Sequence, residues 1–409
     1  MLSAAGGVVC LCSTHSVVLF SPSNPSGNLL IRTICGSPDP QNPEIISLGL
    51  SRSGRTLVTC DNTKRLSCYT ADADNWTLRG SVEVPRRASC FAFSSDDKCL
   101  IVGEKSGNVY RLPLSDIPCT DQLSLILGHL SVLTDMAISD DGKLIATCDR
   151  DEKIRISRFS QPFVIECFCL GHHSFVSQLA FLPDSSLLIS SGGDSYLRVW
   201  QSETGSELSS CLLAFPDCPN VPFGDPPSTD TPPVIISRLF VTKNNICICS
   251  SASHAVVFAI QIQVSDNVNV QWGSISKVIT PDNTPLMDCA VSEPATSTPD
   301  VTVIGLITKA PARVVTWSLS YCPSESDPSS TKWSEMRTLN LPSELLSDLP
   351  NPSPRLELLK GLFKADNDRA MLEAYEENKS VHHQNILDRR SRHQQGRRLN
   401  KRLTESVSS

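Results

Sequence analysis

The stretch Phe181-Leu182-Pro183-Asp184-Ser185-Ser186-Leu187-Leu188-Ile189-Ser190-Ser191-Gly192-Gly193-Asp194-Ser195-Tyr196-Leu197-Arg198-Val199-Trp200 reads as strand end, turn, strand, tight turn, strand. Pro, Asp, Ser and Gly punctuate short apolar runs of strand length. The same order recurs three times upstream. The first turns there are Ser51-Arg52-Ser53-Gly54, Ser94-Ser95-Asp96-Asp97 and Ser139-Asp140-Asp141-Gly142. The apolar residues just before the four turns, Leu50, Phe93, Ile138 and Phe181, are 43, 45 and 43 residues apart. The third strands keep the same offsets at Leu66, Val109, Ile154 and Leu197. Two independent columns with one series of spacings mark a genuine internal repeat.

A period of this length is that of a four-stranded propeller blade. Two copies carry Gly-His, at Gly128-His129 and Gly171-His172, and the quoted copy ends in Trp200. The repeat therefore resembles the WD-repeat family, an all-β fold. That resemblance implies a buried hydrogen-bond tetrad of His172, a strand serine (Ser190 or Ser191), Asp194 and Trp200, structural in role. The expected architecture is a seven-bladed WD40 β-propeller over residues 1–365, followed by a helical and then basic tail over 366–409. Ser237–Ile262 and Met287–Ser318 supply fainter blades, and residues 7–35 read as an incomplete first one, with strands near Val8–Cys12 and Val17–Phe20. Propellers commonly close by pairing strands from both chain ends. Arg355–Phe363 is the expected closing segment, as a strand or a helix. Phe215–Pro233 reads as a long surface loop, and Tyr321–Pro354 as an irregular stretch.

Composition agrees with pleated strands. Of 409 residues, 40 % are hydrophobic and only 6 % aromatic, the rest of the apolar set being mostly Val, Ile, Leu and Cys. A net charge of −7 means that bulk charge does not attract nucleic acid, so any such contact needs a local basic patch. The 17 cysteines include C-x-C pairs at Cys10 and Cys12, Cys167 and Cys169, and Cys247 and Cys249, which strand geometry places on one face. They read as small core hydrophobes in a reducing compartment, the cytosol or nucleus, rather than as metal ligands. The apolar start lacks a basic leader region and is interrupted by Ser13, Thr14, His15 and Ser16. No run is long enough to span a bilayer, so no membrane association is expected.

No phosphate-binding glycine loop, zinc-protease helix or serine-hydrolase elbow is present. His172-His173 and His382-His383 have no carboxylate or cysteine partners in ligand spacing. No catalytic residue, metal or cofactor is therefore expected. Asp366 or Asp368 can cap a tail helix reaching about Leu387. Beyond it Arg389, Arg390, Arg392, Arg397, Arg398, Lys401 and Arg402 form a run without an acid, suited to phosphate or to nuclear targeting.

One turn breaks the repeat. The fourth blade carries Asp149-Arg150-Asp151-Glu152-Lys153-Ile154-Arg155 where ordinary repeats place Gly, Ser, Asp and Thr, and its third strand has Ser157-Arg158-Phe159 in place of the terminal Trp. The five consecutive charges of mixed sign from Asp149 to Lys153 form either a solvated turn with weak internal ion pairs or a docking site for opposite charges. With Gly128-His129-Leu130-Ser131, the Ser139-Asp140-Asp141 turn, Cys167–His172, Phe175-Val176-Ser177, Lys105–Tyr110, Lys64-Arg65-Leu66 and Arg86-Arg87, this run resembles the WD-repeat non-catalytic subunit of tRNA (guanine-N7-)-methyltransferase. The resemblance covers roughly the N-terminal half and fades after Cys211. It implies a subunit that is not itself an enzyme, and the free thiols and basic run place it in the nucleus, with the cytoplasm as a further location. Its partner would be a separate S-adenosylmethionine-dependent methyltransferase, which it stabilises, and it would help to seat tRNA for N7 methylation of a variable-loop guanine. It assigns partner contact to Arg150, Asp151, Glu152, Lys153 and Arg155, and tRNA or partner contact to Arg86, Arg87, Lys105, Arg397, Arg398 and Lys401. The competing expectation is a WD40 substrate receptor or scaffold for a ubiquitin ligase. Such receptors often place an Arg just after a repeat's terminal Trp-Asp, whereas Trp200 is followed here by Gln201-Ser202-Glu203 and Trp317 by Ser318-Leu319-Ser320.

Overall fold

A computed structural model describes residues 1–339 apart from 21–31, 36–43, 118–122, 214–232, 282–285, 294–300, 308–311, 322–330 and some isolated positions, together with Leu362. Contacts divide the chain into Met1–Glu357 and Leu358–Ser409. The expected tail helix, the basic run with Arg397, Arg398 and Lys401, and nearly all of the loop at 215–233 lie outside the described residues.

The first unit consists of seven antiparallel sheets, each built from one continuous piece of chain. Blade four shows the plan. Leu133–Ile138 is innermost, followed outward by Leu144–Asp149, Ile154–Arg158 and Ile165–Cys169. Both faces of each sheet pack on neighbours, so the middle strands are buried throughout rather than on alternate residues. In blade five Leu187–Gly192 is buried at every position.

Seven apolar clusters occupy the seven interfaces between successive blades. Cys90, Ile101, Val109 and Leu127 of blade three meet Leu133, Met136, Ile138 and Ile145 of blade four. Ala146, Cys148, Ile154 and Ile156 meet Val176, Leu179, Leu188 and Trp200 of blade five. The seventh cluster closes the ring, with Leu2, Val9, Leu11 and Phe20 of blade one against Met287, Ala290, Ile304 and Leu306 of blade seven. An ion pair between half-buried Arg238 and fully buried Asp288 reinforces this closure. Arg238 Nε and Nη2 donate to Asp288 at 2.7 and 3.1 Å, and Asp288 Oδ2 also accepts the Leu2 N–H at 2.8 Å.

Two expectations are corrected here. Blade one is complete, because Leu2–Ala5 forms its innermost strand and pairs with Val8–Cys12. The residues 321–354 are not wholly irregular. Thr331–Trp333 and Arg337–Leu339 both pair with the strand Arg313–Tyr321, which supplies blade seven with its outer edge. Closure among the described residues is by blade packing, with no strand exchanged between sheets. The expected closing segment Arg355–Phe363 lies outside the described residues except for Leu362, which is helical.

The cysteine pairs sit in the core as small hydrophobes. Cys10 and Cys12 pack between blades one and two, and Cys247 and Cys249 between blades five and six. Burial pushes the Cys60 and Cys68 thiols up to about 11 each, so they stay protonated and unreactive. Among the described residues, no cluster of His, Cys, Asp and Glu is arranged to hold a metal, and no helix is long and apolar enough to cross a membrane.

Candidate docking face

Antiparallel strands put alternate turns at opposite ends of the ring. One end carries the turn from each second strand to the third, with the connections from blade to blade. In blade five this end holds a complete polar chain. His172 Nδ1 lies 3.0 Å from Asp194 Oδ2, its Nε2 lies 2.7 Å from Ser190 Oγ, and Trp200 Nε1 donates to the same oxygen at 2.7 Å. The hydroxyl is that of Ser190; Ser191 points to the other side and contacts Ser177. Asp194 also accepts the backbone N–H groups of His173 and Tyr196. Burial alone would raise its carboxyl, but the His172 hydrogen bond and charge, the His173 N–H and Arg198 together hold it below the usual range. The buried polar atoms of His172, Ser190, Asp194 and Trp200 all find partners, which makes these four a brace rather than a reactive site.

Blade four repeats this brace in altered form. His129 Nε2 meets Thr147 Oγ1 at 2.8 Å, and Nδ1 meets Asp149 Oδ2 at 2.9 Å. Here the acid comes from the strand end, two residues earlier than Asp194 in the shared register. The free oxygen of Asp149 accepts the N–H of Asp151 at 3.0 Å and of Lys153 at 3.3 Å, which pins the charged turn. Glu152 occupies the left-handed region at φ 66°, the tip of the turn.

The five expected contact residues divide into two groups. Asp151 accepts from Ser131 Oγ at 2.8 Å and lies 3.7 Å from the Arg150 guanidinium. Arg155 turns back onto the ring, donating to Ser157 Oγ at 2.9 Å and Pro162 O at 2.8 Å of its own blade and to Gly128 O of blade three at 3.4 Å. Ser157 pairs with Ile145 as Trp200 pairs with Leu188 one blade later, so Arg155 reaches to the position of the absent tryptophan. Glu152 is exposed and Lys153 half-buried, and neither makes an ion pair or side-chain hydrogen bond among the described residues. The turn is thus not a closed set of internal ion pairs: two opposite charges at its tip remain available.

Apolar surface surrounds it. Leu130 is 98 % exposed one residue before Ser131. Phe168, which faces Arg155 in register, and Leu170 beyond it are also exposed. Large exposed side chains gathered around one turn are a feature of interaction surfaces.

Arg86, Arg87 and Lys105 come together at the same end on blades two and three. The Arg86 N–H donates to the buried Glu104 carboxylate at 2.5 Å, the Lys105 N–H to Arg87 O at 3.4 Å, and Arg87 Nε to Asn62 O at 3.2 Å. The side chains are exposed, and Lys64 and Arg65 adjoin them on the turn held by Asp61. The sequence pattern alone did not single out Lys64 and Arg65 as site residues. The brace of blade four was missed because its Trp is absent and its acid displaced, though Gly128-His129 marked its first member.

The chain is a seven-bladed β-propeller of the WD-repeat type. A chain in a crystal structure of the mitotic checkpoint complex shares this fold, with a TM-score of 0.57 and 14 % identity over 74 % of this chain and 85 % of that one. Residues 115–271 match the family model described as the tRNA methyltransferase TRM82 WD40 domain. The tRNA (guanine-N(7)-)-methyltransferase non-catalytic subunit WDR4 of Bos taurus is 37 % identical over 192 residues, 46 % of this chain and 45 % of that protein. Its Homo sapiens counterpart is 39 % identical over 171 residues, 42 % and 40 % respectively. The non-catalytic subunit wuho of Aedes aegypti is 35 % identical over 191 residues, 44 % and 47 %. The matches span less than half the length of each of these relatives. They bear out the resemblance read from the blade motifs.

Proposed function

We propose that this chain is the non-catalytic subunit of a tRNA (guanine-N7-)-methyltransferase, binding a separate S-adenosylmethionine-dependent catalytic subunit and working in the nucleus. The observation that carries the proposal is the blade-four turn. It lies within the stretch matching the family model, it is pinned by Asp149, and it presents Glu152 and Lys153 with their charges uncompensated. A rigid turn offering one charge of each sign selects a partner by complementarity and register. Leu130, Phe168 and Leu170 supply the apolar contact area that charges alone do not. The cationic group of Lys64, Arg65, Arg86, Arg87 and Lys105 at the same end meets the phosphate backbone of tRNA held by the complex, without reading sequence. The basic run that includes Arg397, Arg398 and Lys401 adds to that contact or directs the chain to the nucleus.

Co-expression with the cognate methyltransferase followed by size exclusion tests this. The expected result is one complex that methylates tRNA, while neither subunit does so alone at a comparable rate. Glu152→Lys is expected to lower affinity for the partner by about tenfold or more, with the unfolding midpoint of the propeller unchanged. Separate elution of the wild-type subunits overturns the proposal.

A further inference from the structure

The opposite end of the ring carries the turns from first strand to second and from third strand to fourth. Between blades four and five these turns enclose a half-open cleft of about 710 Å³. Its wall includes Leu144 and Phe181, and carboxylates surround them. Three of the acids are already paired: Asp140 with Arg52, Glu166 with Arg158, and Asp141 with Lys143 at 3.0 Å. The Ser139 hydroxyl and the Lys143 N–H hold the Asp141 carboxyl down at about 2. Asp184 and Glu203 are exposed at the cleft and have no hydrogen-bond or ion-pair partner among the described residues.

Ser202 is a second and independent feature. It lines the cleft and is 0 % exposed. Its N–H donates to Ser186 O at 3.0 Å and its carbonyl accepts from Cys167 Sγ at 3.2 Å, whereas its hydroxyl has no partner among the described residues. The other cleft serines are engaged: Ser139 with Asp141, Ser185 with Leu182 O, and Ser186 with Gln201. A buried hydroxyl left unsatisfied is costly, and nearly all such groups in folded proteins have a partner.

An apolar wall, two uncompensated carboxylates and an unsatisfied hydroxyl call for a ligand with an aliphatic stem and a cationic head rich in donors. Phosphate is repelled by this set, so RNA does not suit it. Lysine offers three donors from a point, whereas the planar guanidinium of arginine offers five in a fixed fork suited to carboxylates. Its methylene stem lies favourably along apolar surface. We infer that this cleft receives an arginine side chain from a basic peptide segment of a partner protein, making it a second interaction site on the face away from the charged blade-four turn.

The test is fluorescence anisotropy of the full chain with a labelled peptide of alternating arginine and serine, and with the same peptide carrying citrulline for arginine. Saturable binding is expected, weakened by roughly tenfold or more when citrulline removes the charge. The double change Asp184→Asn with Glu203→Gln is expected to weaken it similarly; Asn tolerates the left-handed backbone that Asp184 adopts at φ 51°. Ser202→Ala is expected to lower peptide affinity severalfold while leaving the thermal midpoint unchanged or higher, because it removes an unsatisfied group. A purely structural serine would not separate the two readouts. Glu152→Lys, at the other end of the ring, is expected to bind the peptide as the wild type does. The inference is overturned by absence of saturation, by equal binding of the citrulline peptide, or by unchanged affinity in the double variant. Displacement of the peptide by equimolar spermine, or loss of binding in Glu152→Lys, overturns it equally.

Discussion

Arg155 and Glu152 lie three residues apart, yet they do different work. Arg155 spans from the turn to Ser157, Gly128 and Pro162, joining its own blade to the connection from blade three. Removing it takes the guanidinium donors from the part-buried Ser157 hydroxyl and Pro162 carbonyl. Arg155→Ala is therefore expected to destabilise the propeller by about 1–3 kcal/mol, read as a shift in the urea midpoint at constant slope. Any loss of partner affinity in this variant is expected to follow from that loosening. Glu152, whose side chain makes no ion pair or hydrogen bond among the described residues, is expected to change affinity without changing the midpoint. Equal midpoints for Arg155→Ala and wild type would show that the arginine braces nothing. The sequence marked both residues as one charged run. It could not sort them, because the sorting depends on Ser157 standing where a tryptophan would and on a carbonyl 27 residues earlier in the chain.

At the scale of elements, what the sequence reveals falls off with contact distance. The hairpins of blades two to five are readable because each turn and strand lies within one repeat. The His172–Ser190–Asp194–Trp200 brace is readable for the same reason, since its residue types recur at fixed offsets within one blade. Ring closure is not. Leu2-Ser3-Ala4-Ala5 has no β-branched residue to announce a strand, and its N–H partner Asp288 is 286 residues away. Asp288 is buried and anchors blades six, seven and one through Arg238 and Leu2. Burial alone would raise its carboxyl; the Arg238 charge and hydrogen bonds, the amino terminus and the Leu2 N–H outweigh burial and hold it below its ordinary range. A carboxyl held low when folded contributes fully at neutral pH. Its contribution starts to fade as the pH falls to the ordinary value of about 3.8 and is lost once the folded value is passed. Asp288→Asn is expected to cost about 3–5 kcal/mol at neutral pH, since it leaves Arg238 without its counter-charge. The gap between variant and wild type is expected to narrow below the ordinary carboxyl value. A gap independent of pH would mean that the residue acts through shape rather than charge.

Over the whole ring the two ends differ in kind. One end gathers Lys64, Arg65, Arg86, Arg87 and Lys105 beside the charged turn; the other holds the acid-lined cleft. A net charge of −7 conceals this polarity, because a sum over the chain carries no position. On the proposed function, the cationic group draws phosphate to its own end, over distances set by screening of about 8–10 Å at physiological salt. Each cation that neutralises a phosphate releases a counterion, so the logarithm of affinity falls with the logarithm of salt by about 0.7–0.9 per contact. Arg86→Glu combined with Arg87→Glu, in the reconstituted complex, is expected to weaken tRNA binding and to flatten that slope by about 1.4–1.8. Neither side chain supports the core, so assembly with the catalytic subunit and the unfolding midpoint are expected to stay unchanged. Reversing Asp140 and Asp141 at the other end is expected to leave the slope as it was or to steepen it. A double arginine variant that kept the full slope would place the phosphate contacts on the catalytic subunit alone, and the propeller would then serve its partner without touching the tRNA.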